Sequence, residues 1–594
     1  MCRIAGMLDL SLPTDVIKTK VKEMCSIQQS GGPDEEGVYA DALHSLVLGH
    51  QRLSIIDLST TGQQPMSFEN ERYWITYNGE LYNYLELRQE LLLLGCTFCG
   101  TSDTEVILAS FATWGTDAFT RFNGMFAFAI WDTLNLELYL VRDSAGIKPL
   151  YYSITKDGLV FASEVKAFKN NKLLQNQHPN WKVYMMAYGH LPEPITTIQG
   201  VHPLEKGTWL KYQSTSREYF IRKYFQASYT EIINDRKDAI ELIKISLAKS
   251  VKRHLLADAP IGFFLSGGLD SSILSVLAHK ELIPLKTISL DLEHNKFSEK
   301  KFQNILNQQL NANHFQYLLK EDDFHQHLPT IIGSMDLPSS DGINTWFISK
   351  YAKESGLKSV LSGLGGDELF GGYPSFNRIQ TALFFKKLPK NFLNVGKLNA
   401  VKRYRRLVYL SIDGPIGLYL FLRGQFTPNE IARQLGAYEN EVWKILSESP
   451  VLSDIDYLTP KNQASWMESN LYMQNQLLRD ADVMSMAHGL EIRIPFLDID
   501  FTSLILQISS SVKYSGKLGK QLLIDSFKDL LPEIIWNRPK MGFTFPFKEW
   551  LINNEFARDL LGNDPHENYK KIKSGEIHWS QYLTSTLIAK YQHG

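Results

Sequence analysis

Cys2 and a few polar residues downstream of it could carry out nucleophilic chemistry. Cys2 directly follows Met1. Because methionine aminopeptidases remove an initiator methionine before a small residue, we expect Cys2 to become the first residue of the mature chain. Its α-amino group, with an unperturbed pKa of about 7.7–8.0, can then accept the thiol proton. One residue would therefore supply both a thiolate nucleophile and its general base.

Other polar residues suggest what such a nucleophile would attack. Asn78 and Gly79 follow a strand-like run, and an Asn amide with a Gly backbone N–H can form an oxyanion hole. Arg52 can bind a carboxylate through two parallel hydrogen bonds, and Asp103 can accept an ammonium group. Together these groups suit glutamine, an α-amino acid with a reactive side-chain amide. Taken singly, Arg52 and Asp103 are equally well explained as a surface ion pair and a turn cap.

A glycine-rich loop indicates a second chemistry, phosphate binding. The loop Ser266–Ser272, with the sequence Ser-Gly-Gly-Leu-Asp-Ser-Ser, lies between a predicted strand, Ile261–Leu265, and a predicted helix, Ile273–Lys280. Glycines let the backbone approach phosphates, and a helix N-terminus offers free N–H groups and a positive dipole end. The three serines add hydroxyl donors, and Asp270 can hold Mg²⁺. The loop is not a Walker A motif, because Gly-Lys-Ser/Thr is missing.

A second loop of this kind, Leu361–Tyr373, contains five glycines and also follows a predicted strand. Asp367 in this loop is placed to share a metal ion with Asp270. Further along, the segment Trp536–Phe543 contains Lys540, whose charge could stabilise a phosphoryl group or a tetrahedral intermediate.

The elements that must position these residues fall into two regions. Up to about Lys211, short alternating runs separated by turns predict strands of an α+β domain with much antiparallel sheet. These strands are Ser45–Leu48, Arg72–Tyr77, Met125–Trp131 and Glu137–Val141, and helical periodicity covers Val16–Gln28 and Thr104–Trp114.

From Asp235 onward, helical patterns such as Asp238–Leu256 alternate with short apolar strands. The strands Ile261–Leu265, Thr287–Leu292 and Val360–Ser362 predict a parallel sheet with helices on both faces. After Phe376 the chain is expected to be mostly helical. The predicted domains are therefore residues 2–211 and 235–594, joined by a linker at 212–234.

Composition excludes several functional classes. The 594 residues carry a net charge of −2, which gives no support to a nucleic-acid or membrane-surface role. No run approaches the roughly 18–20 apolar residues of a membrane span. Four cysteines in so long a chain argue for a reducing compartment, and the N-terminus does not resemble a signal peptide, so we expect a cytoplasmic protein. Cys25 is expected in the core, and Cys96 with Cys99 lacks the further ligands of a zinc site.

Five motifs in the N-terminal region resemble the class II glutamine amidotransferase domain, an N-terminal-nucleophile hydrolase with an αββα sandwich. The motifs are Cys2–Gly6, Gly32–Asp34, Arg52–Asp57, Tyr77–Asn83 and Ser102-Asp103. The resemblance implies that Cys2 is the nucleophile and that Asn78 and Gly79 are oxyanion donors. It implies glutamine contacts at Arg52, Asn78, Glu80 and Asp103. One departure stands out: the family commonly has His-Arg where this chain has Ser30-Gly31.

The remaining motifs resemble the ATP-pyrophosphatase domain of glutamine-dependent asparagine synthetases, which activates a carboxylate as an acyl-adenylate. The resemblance spans nearly the whole chain. It implies ATP as a substrate, Mg²⁺ at Asp270 and Asp367, catalytic Lys540, small-molecule substrates and a possible homodimer. The implied ATP-binding residues are Phe264, Leu265, Ser266, Gly267, Gly268, Asp270, Ser271, Ser272, Leu290, Ser362, Gly363 and Asp367.

The acceptor of the amide nitrogen stays open. The family commonly has an acidic residue where this chain has Leu364, and leucine cannot transfer a proton. Either Glu368, Glu491 or another group replaces it, or the acceptor is not aspartate. Three hypotheses follow: asparagine synthesis from aspartate, amidation of another carboxylate such as a uronic acid of a surface polysaccharide, and a degenerate sensor or scaffold. In the first two, ammonia would pass through a buried tunnel between the sites.

Overall fold

The computed structural model describes residues 2–169, 176–281, 284–293, 298–394, 402–448, 452–539, 546–561, 570, 572, 574 and 577–593. Its strands are β1 Arg3–Asp9, β2 Glu35–Asp41, β3 Leu46–Arg52, β4 Met66–Phe68, β5 Tyr73–Leu81, β6 Gly124–Asp132, β7 Glu137–Arg142, β8 Tyr151–Thr155, β9 Gly158–Ala162, β10 His202–Pro203, β11 Thr208–Gln213, β12 Tyr219–Lys223, β13 Ile261–Phe264, β14 Lys286–Leu292, β15 Asn313–Leu319, β16 Ser359–Leu361 and β17 Glu491–Arg493.

The helices before the C-terminal helical region are α1 Thr14–Ile27, α2 Tyr84–Leu93, α3 Asp103–Trp114, α4 Trp181–Tyr188, α5 Arg236–His254, α6 Leu269–His279, α7 Lys300–Leu310, α8 Glu321–Ser334, α9 Ile343–Glu354 and α10 Gly366–Phe370. Those that follow are α11 Ser375–Lys386, α12 Lys390–Asn394, α13 Lys402–Arg405, α14 Gly414–Arg423, α15 Pro428–Leu435, α16 Glu439–Ser447, α17 Pro460–Met467, α18 Arg479–Met486, α19 Ile499–Gln507, α20 Ser510–Lys513, α21 Gln521–Phe527, α22 Glu533–Trp536, α23 Phe547–Asn553, α24 Glu555–Leu561 and α25 Trp579–His593, with a π-helical segment at Glu468–Leu478.

Two antiparallel sheets form a sandwich in the N-terminal region. The first has the strand order β10-β8-β9-β1-β3-β2, and the second has the order β12-β11-β7-β6-β5-β4. Side chains alternate along β1: Ile4 and Leu8 pack between the sheets, whereas Ala5 and Met7 face helix α1. On the outer side of the second sheet, α2 and α3 cover β5 and β6. These layers confirm the αββα sandwich.

A parallel sheet with the order β15-β14-β13-β16-β17 forms the centre of the second region. Apolar residues of α5 and α6 cover one face, and residues of α9 and α18 pack against the other. This arrangement confirms the prediction of a parallel sheet with helices on both faces. It also confirms the helical region that follows, which begins with α11.

Several predicted boundaries are wrong. Strand β5 runs on to Leu81, so Asn78 and Gly79 lie within a strand and not after it, because their backbones continue the pairing with β6. Helix α6 begins at Leu269, four residues before the prediction. The predicted linker contains β12, which pairs with β11 and extends the N-terminal sheet to Lys223.

Cys25, on α1, is buried against the first sheet, as predicted. Cys96 and Cys99 belong to no cluster of three metal-binding side chains within the described residues. Among the described helices, none has both the length and the apolar composition needed to cross a bilayer.

Candidate active sites

The first candidate site surrounds Cys2 at the start of β1, in the middle of the first sheet. Cys2 is 8% exposed, and its backbone N–H donates to Asn78 Oδ1 across 3.2 Å. Burial raises the pKa of the Cys2 thiol, whereas a hydrogen bond from the Leu53 backbone N–H opposes that rise. The sandwich thus brings the ends of β1, β3 and β5 together around the thiol.

Asn78 has the geometry of an oxyanion donor. Its Oδ1 is used by Cys2, whereas Nδ2 is buried and makes no hydrogen bond within the described residues. A buried donor without a partner is costly unless a ligand completes it. At Gly79, a Cβ atom would lie 2.2 Å from the Met125 carbonyl oxygen, so only glycine fits beside β6. Asn78 therefore offers an amide N–H group without a partner, and Gly79 next to it offers a backbone that no side chain covers.

The other three residues predicted to contact glutamine are buried nearby. Arg52 bonds Glu35 at 2.8 Å and the Ser59 carbonyl at 3.2 Å. Asp103, the first residue of α3, accepts from Tyr77 Oη at 3.0 Å and from the Leu81 N–H at 2.9 Å. Burial nevertheless raises the pKa of Asp103 to about 6.

Glu80 connects this site to the second region. It is buried on β5, and burial together with the nearby Glu491 carboxylate raises its pKa. Arg493 of β17 lies 3.3 Å from Glu80 and also bonds Glu491 at 2.5 Å. The same Arg493 accepts, through its carbonyl, a hydrogen bond from the Ser362 N–H. Glu80 therefore contacts the strand that adjoins the second glycine-rich loop.

The departure at Ser30-Gly31 also has a structural explanation. A Cβ atom on Gly31 would lie 2.7 Å from Arg3 Cγ, so the Arg3 side chain occupies the space beside Gly31. Arg3 is fully buried and pairs with Glu164 at 2.7 Å and Asp482 at 2.8 Å. A guanidinium group thus still lies beside this turn, but it comes from the residue after the nucleophile.

The second candidate site is a cavity of about 630 Å³ at the carboxyl ends of the parallel strands. Ligands of open parallel sheets bind at this edge. The predicted residues that line the cavity are Phe264, Leu265, Ser266, Gly268, Asp270, Ser271, Leu290, Ser362, Gly363 and Asp367. Gly267 and Ser272 are not on its wall. Gly267 provides the left-handed turn, with φ of 75°, and Ser272 is buried with Oγ bonded to the Gly268 carbonyl.

The two glycine-rich loops touch each other at Asp270. A Cβ atom on Gly366 would lie 2.4 Å from Asp270 Oδ1, and one on Gly363 would lie 2.9 Å from Asp270 Cβ. Glycine in the second loop therefore allows the first turn of α6 to approach. This contact brings Asp270 and Asp367 together, as the sequence predicted for a pair of carboxylates that share one cation.

Lys520 lies between these two carboxylates, and sequence reasoning missed it. Its Nζ is 2.5 Å from Asp270 and 2.6 Å from Asp367, and both carboxylates raise the pKa of its ammonium group. The signal was present: Lys520 ends Gly516-Lys-Leu-Gly-Lys520, a glycine-lysine turn directly before α21. Lys540, which was predicted instead, lies outside the described residues. Arg538, also missed, lines the cavity and bonds Glu299 at 3.0 Å and the Gly267 carbonyl at 2.9 Å.

The two candidate replacements for an acidic residue at position 364 lie in different places. Glu368 lines the cavity and accepts from Tyr373 Oη at 2.7 Å, and burial with the neighbouring Asp367 charge raises its pKa to about 7. Glu491 is buried on β17 beside Arg493 and is not part of the cavity wall.

A buried apolar cluster spans the two regions and reaches the wall of the cavity. It contains Tyr82, Met125 and Ile147 of the N-terminal region, and it continues through Met473, Leu478, Ala481, Leu490, Ile492, Ile494 and Leu497 of the second region. Half-buried Ile348, Leu364 and Leu477 pack against this cluster and also line the cavity, as do Ala481 and Ile492. We call this set the interdomain apolar cluster.

Each half of the molecule matches a known protein family. Residues 1–225 match the model of a glutamine amidotransferase domain, and residues 242–583 match the model of asparagine synthase. Asparagine synthetase [glutamine-hydrolyzing] 1 of Bacillus subtilis is 33% identical over 572 residues, which cover 92% of this chain and 88% of that protein.

Two further relatives span most of the chain. A putative asparagine synthetase [glutamine-hydrolyzing] of Mycobacterium tuberculosis is 32% identical, covering 88% of this chain and 83% of that protein. Amidase chry2 of Gibberella zeae is 26% identical, with coverage of 87% and 84%. With both domain models in this order and full-length similarity above 30%, the chain belongs to the family of glutamine-hydrolysing asparagine synthetases.

Proposed function

We propose that this protein is an ATP-dependent ligase that amidates an acceptor carboxylate with nitrogen from the glutamine side chain. The observation that carries the proposal is the interdomain apolar cluster, because it contains Met125, which pairs with Glu80 across the sheet, and also residues of the cavity wall. Family membership supports glutamine hydrolysis and ATP use in one chain.

At the first site, Cys2 would attack the side-chain amide carbon of glutamine. The negative charge that develops on the amide oxygen would be held by the unused Asn78 Nδ2 and the Gly79 N–H. Arg52 would bind the α-carboxylate, and Asp103, with Glu80, would bind the α-ammonium group. Ammonia would leave, and water would then hydrolyse the glutamyl thioester on Cys2.

Ammonia is a nucleophile only while it is unprotonated. The members of the interdomain apolar cluster are uncharged, and the charges buried beside them, Glu80, Glu491 and Arg493, pair with one another, so the cluster itself would favour neutral ammonia over ammonium. Its cavity end includes Leu364, where an acidic side chain would place a proton donor in the path. An apolar residue at this position is therefore compatible with transfer of neutral ammonia.

At the second site, the cavity would bind ATP with its phosphates on the Ser266–Ser272 loop. Ser266 Oγ and Ser271 Oγ lie 3.0 Å apart and line the wall, beside the first N–H groups of α6. Lys520 would stabilise negative charge during adenylation of the acceptor and during displacement of AMP by ammonia.

Asp270 and Asp367 fit a magnesium site. They converge on the Lys520 ammonium, a position that Mg²⁺ would take only once that ammonium moves aside, and Mg²⁺ in nucleotide sites commonly takes one or two carboxylates and completes its shell with phosphates and water. When bound there, Mg²⁺ would neutralise phosphate charge as pyrophosphate leaves.

Two acceptors remain candidates. Aspartate, which would give asparagine, is supported by the names of the most similar relatives. A different carboxylate is favoured by Leu364, which stands where the resemblance implies an acidic residue.

Product analysis tests the proposed function directly. With glutamine, ATP, Mg²⁺ and an acceptor panel of aspartate and other carboxylates, we expect AMP, pyrophosphate and glutamate in equal amounts with the amide. ADP in place of AMP would contradict acyl-adenylate chemistry. Absence of pyrophosphate with every acceptor would instead support the sensor or scaffold hypothesis.

A further inference from the structure

Another cavity, of about 400 Å³, lies where the N-terminal region meets the helices of the second region, and no step proposed above uses it. The turn after β10, the segment after β12, the π-helical segment and α19 all contribute to its wall. Its volume falls in the range of roughly 300–1,000 Å³ that is usual for small-molecule pockets. We call this space the interface cavity.

Helix α10 separates the interface cavity from the cavity proposed to bind ATP. Asp367 and Glu368 line the proposed ATP site, whereas Leu369, the next residue of the same helix, lines the interface cavity. Within the part of the chain that the structure describes, the two cavities share no lining residue. The interface cavity is therefore a separate space that a second molecule could fill.

Much of the wall of the interface cavity is apolar. Its buried apolar side chains, each at most 6% exposed, include Leu369, Leu471, Met473, Leu497 and Leu506. Half-buried aromatic rings are added by Phe225, Tyr229 and Trp466. Such a wall favours a hydrocarbon or aromatic body, because both surfaces leave water when the ligand binds.

Lys206 is a cation of this wall that has no counter-charge in direct contact. Its Nζ donates to Asn470 Oδ1 at 2.7 Å, and it forms no ion pair with any of the described residues. Burial lowers the pKa of its ammonium group to about 8, so the group is still mostly charged at pH 7. A buried charge without a counter-charge is costly, and an anionic ligand would remove that cost.

The two carboxylates among the described lining residues are each bound by another cation. Glu193 pairs with Arg142 at 2.9 Å, and Glu205 pairs with Lys223 at 2.6 Å. The charges of these two pairs cancel. The wall therefore carries one positive charge in excess, that of Lys206.

Ser469 adds a hydrogen-bond donor that the protein leaves unused. It lines the interface cavity next to Asn470, and its Oγ is buried without a hydrogen-bond partner among the described residues. A buried hydroxyl without a partner costs free energy unless a ligand or water completes it. A carboxylate can accept hydrogen bonds from a hydroxyl and from an ammonium group at the same time.

The backbone around Lys206 is fixed by the turn that follows β10. The carbonyl of Gly207, whose φ is 63°, accepts hydrogen bonds from the N–H groups of Tyr224 at 2.9 Å and Phe225 at 3.2 Å. A Cβ atom on Gly207 would lie 2.7 Å from the Phe225 carbonyl oxygen, so the close approach depends on glycine. The ammonium group is thus held at the cavity in advance, which lowers the ordering cost of binding.

We infer that the interface cavity is a binding site for an amphipathic monocarboxylate, whose carboxylate contacts Lys206 and Ser469 and whose apolar body packs on the leucine-rich wall. One negative charge matches the single positive charge in excess. A neutral ligand would leave the ammonium group without a counter-charge. The site takes no part in the proposed reaction, and its occupant is neither glutamine nor ATP.

Calorimetric titration of the full-length protein with 4-phenylbutyrate and with its uncharged analogue 4-phenylbutyramide tests the site. We expect the carboxylate to bind about tenfold more tightly than the amide, and excess ATP with Mg²⁺ should not displace it. Equal affinities for the two compounds, or no binding of 4-phenylbutyrate, would overturn the inference. Displacement by ATP would also overturn it, because the compound would then occupy the other cavity.

Variants locate the carboxylate within the interface cavity. Lys206→Met keeps the length of the side chain but removes its charge, and we expect it to weaken binding of 4-phenylbutyrate about tenfold and to leave binding of the amide unchanged. Ser469→Ala should weaken the carboxylate by a smaller factor of about three. Lys211→Met, which changes the net charge equally but lies off this wall and pairs with Glu137, is the matched control. Equal weakening by Lys206→Met and Lys211→Met would refute the site, because it would indicate a general electrostatic effect.

Discussion

The two candidate sites are built in opposite ways. Around Cys2, the antiparallel sandwich supplies almost every partner from within: the Cys2 N–H bonds Asn78, Arg52 bonds Glu35, and Asp103 bonds Tyr77. The cavity of the second region is roomy and lined by glycine-rich loops, and Lys520 lies in it between two carboxylates.

The difference reflects what each site must bind. A small zwitterion such as glutamine can be matched by a few buried groups fixed on strands. ATP and an acceptor bring several negative charges and much larger volumes, so the second site must keep N–H groups, hydroxyls and a cation available. We therefore expect activity at the first site to depend on single atoms, and activity at the second site to depend on the charges that line the cavity.

Removing the nucleophile should separate the two sites most clearly. We expect Cys2→Ala to reduce glutamine-dependent amide formation by on the order of 10⁴-fold or more, because no other group can form the thioester. Ammonium chloride should restore the synthetase reaction, measured as pyrophosphate release. Loss of the ammonia-dependent reaction as well would contradict a division of labour between the sites.

Breaking the contact between the sites should cost stability. Arg493→Met leaves Glu80 and Glu491 buried without their guanidinium partner, which costs about 3–5 kcal/mol. We expect a lower unfolding midpoint and more glutamate released per pyrophosphate. Arg121→Met, which removes an exposed pair with Glu90, is the control and should cost no more than about 1 kcal/mol. Equal midpoints for the two variants would show that the buried contact contributes little.

Removing the cation of the second site should affect only the synthetase reaction. Lys520→Met is expected to slow pyrophosphate release by about 10²- to 10³-fold, because charge on the phosphate and on the tetrahedral intermediate loses its stabilising partner. Hydrolysis of glutamine, assayed as glutamate, should continue. Lys528→Met, an exposed lysine beside Asp525, serves as the control. An equally large loss of glutamine hydrolysis would contradict the prediction that the charge of Lys520 acts on the second site alone.

Acidification should weaken glutamine binding at the first site by a smaller factor. Asp103 has a pKa raised to about 6, so it is ionised at pH 7 and mostly protonated at pH 5. A protonated Asp103 cannot hold the glutamine ammonium, so the KM for glutamine should rise about tenfold from pH 7 to pH 5. His50 stays neutral over this range, because burial lowers its pKa to about 3. Asp103→Asn should give a high KM at both pH values, and a pH-dependent KM in that variant would assign the titration to another group.

Motifs with a fixed local geometry were the most predictable part of the molecule. The strand before the Ser266–Ser272 loop lies where the sequence placed it, although α6 already begins at Leu269 within the predicted loop, and Asp270 and Asp367 converge on one place. Contacts between distant segments could not be read from the sequence. Lys520 reaches Asp270 across 250 positions, and Asp480 reaches the cavity only because α18 packs against α9. The alternation that predicted the end of β5 at Tyr77 failed because Asn78 and Gly79 are polar or bare while fully paired with β6.

The buried ion pair between Arg3 and Asp482 bears on how far the two halves can be exchanged between proteins. Arg3 directly follows the nucleophile, and its charge is balanced partly by a residue 479 positions away in the chain. A fragment that ends after the amidotransferase half would leave this guanidinium with Glu164 alone, and Glu80 without Arg493. We therefore expect the amidotransferase half to be less stable when it is separated from the second half. Grafting it onto another synthetase would require transplanting Asp482 and Arg493 with it.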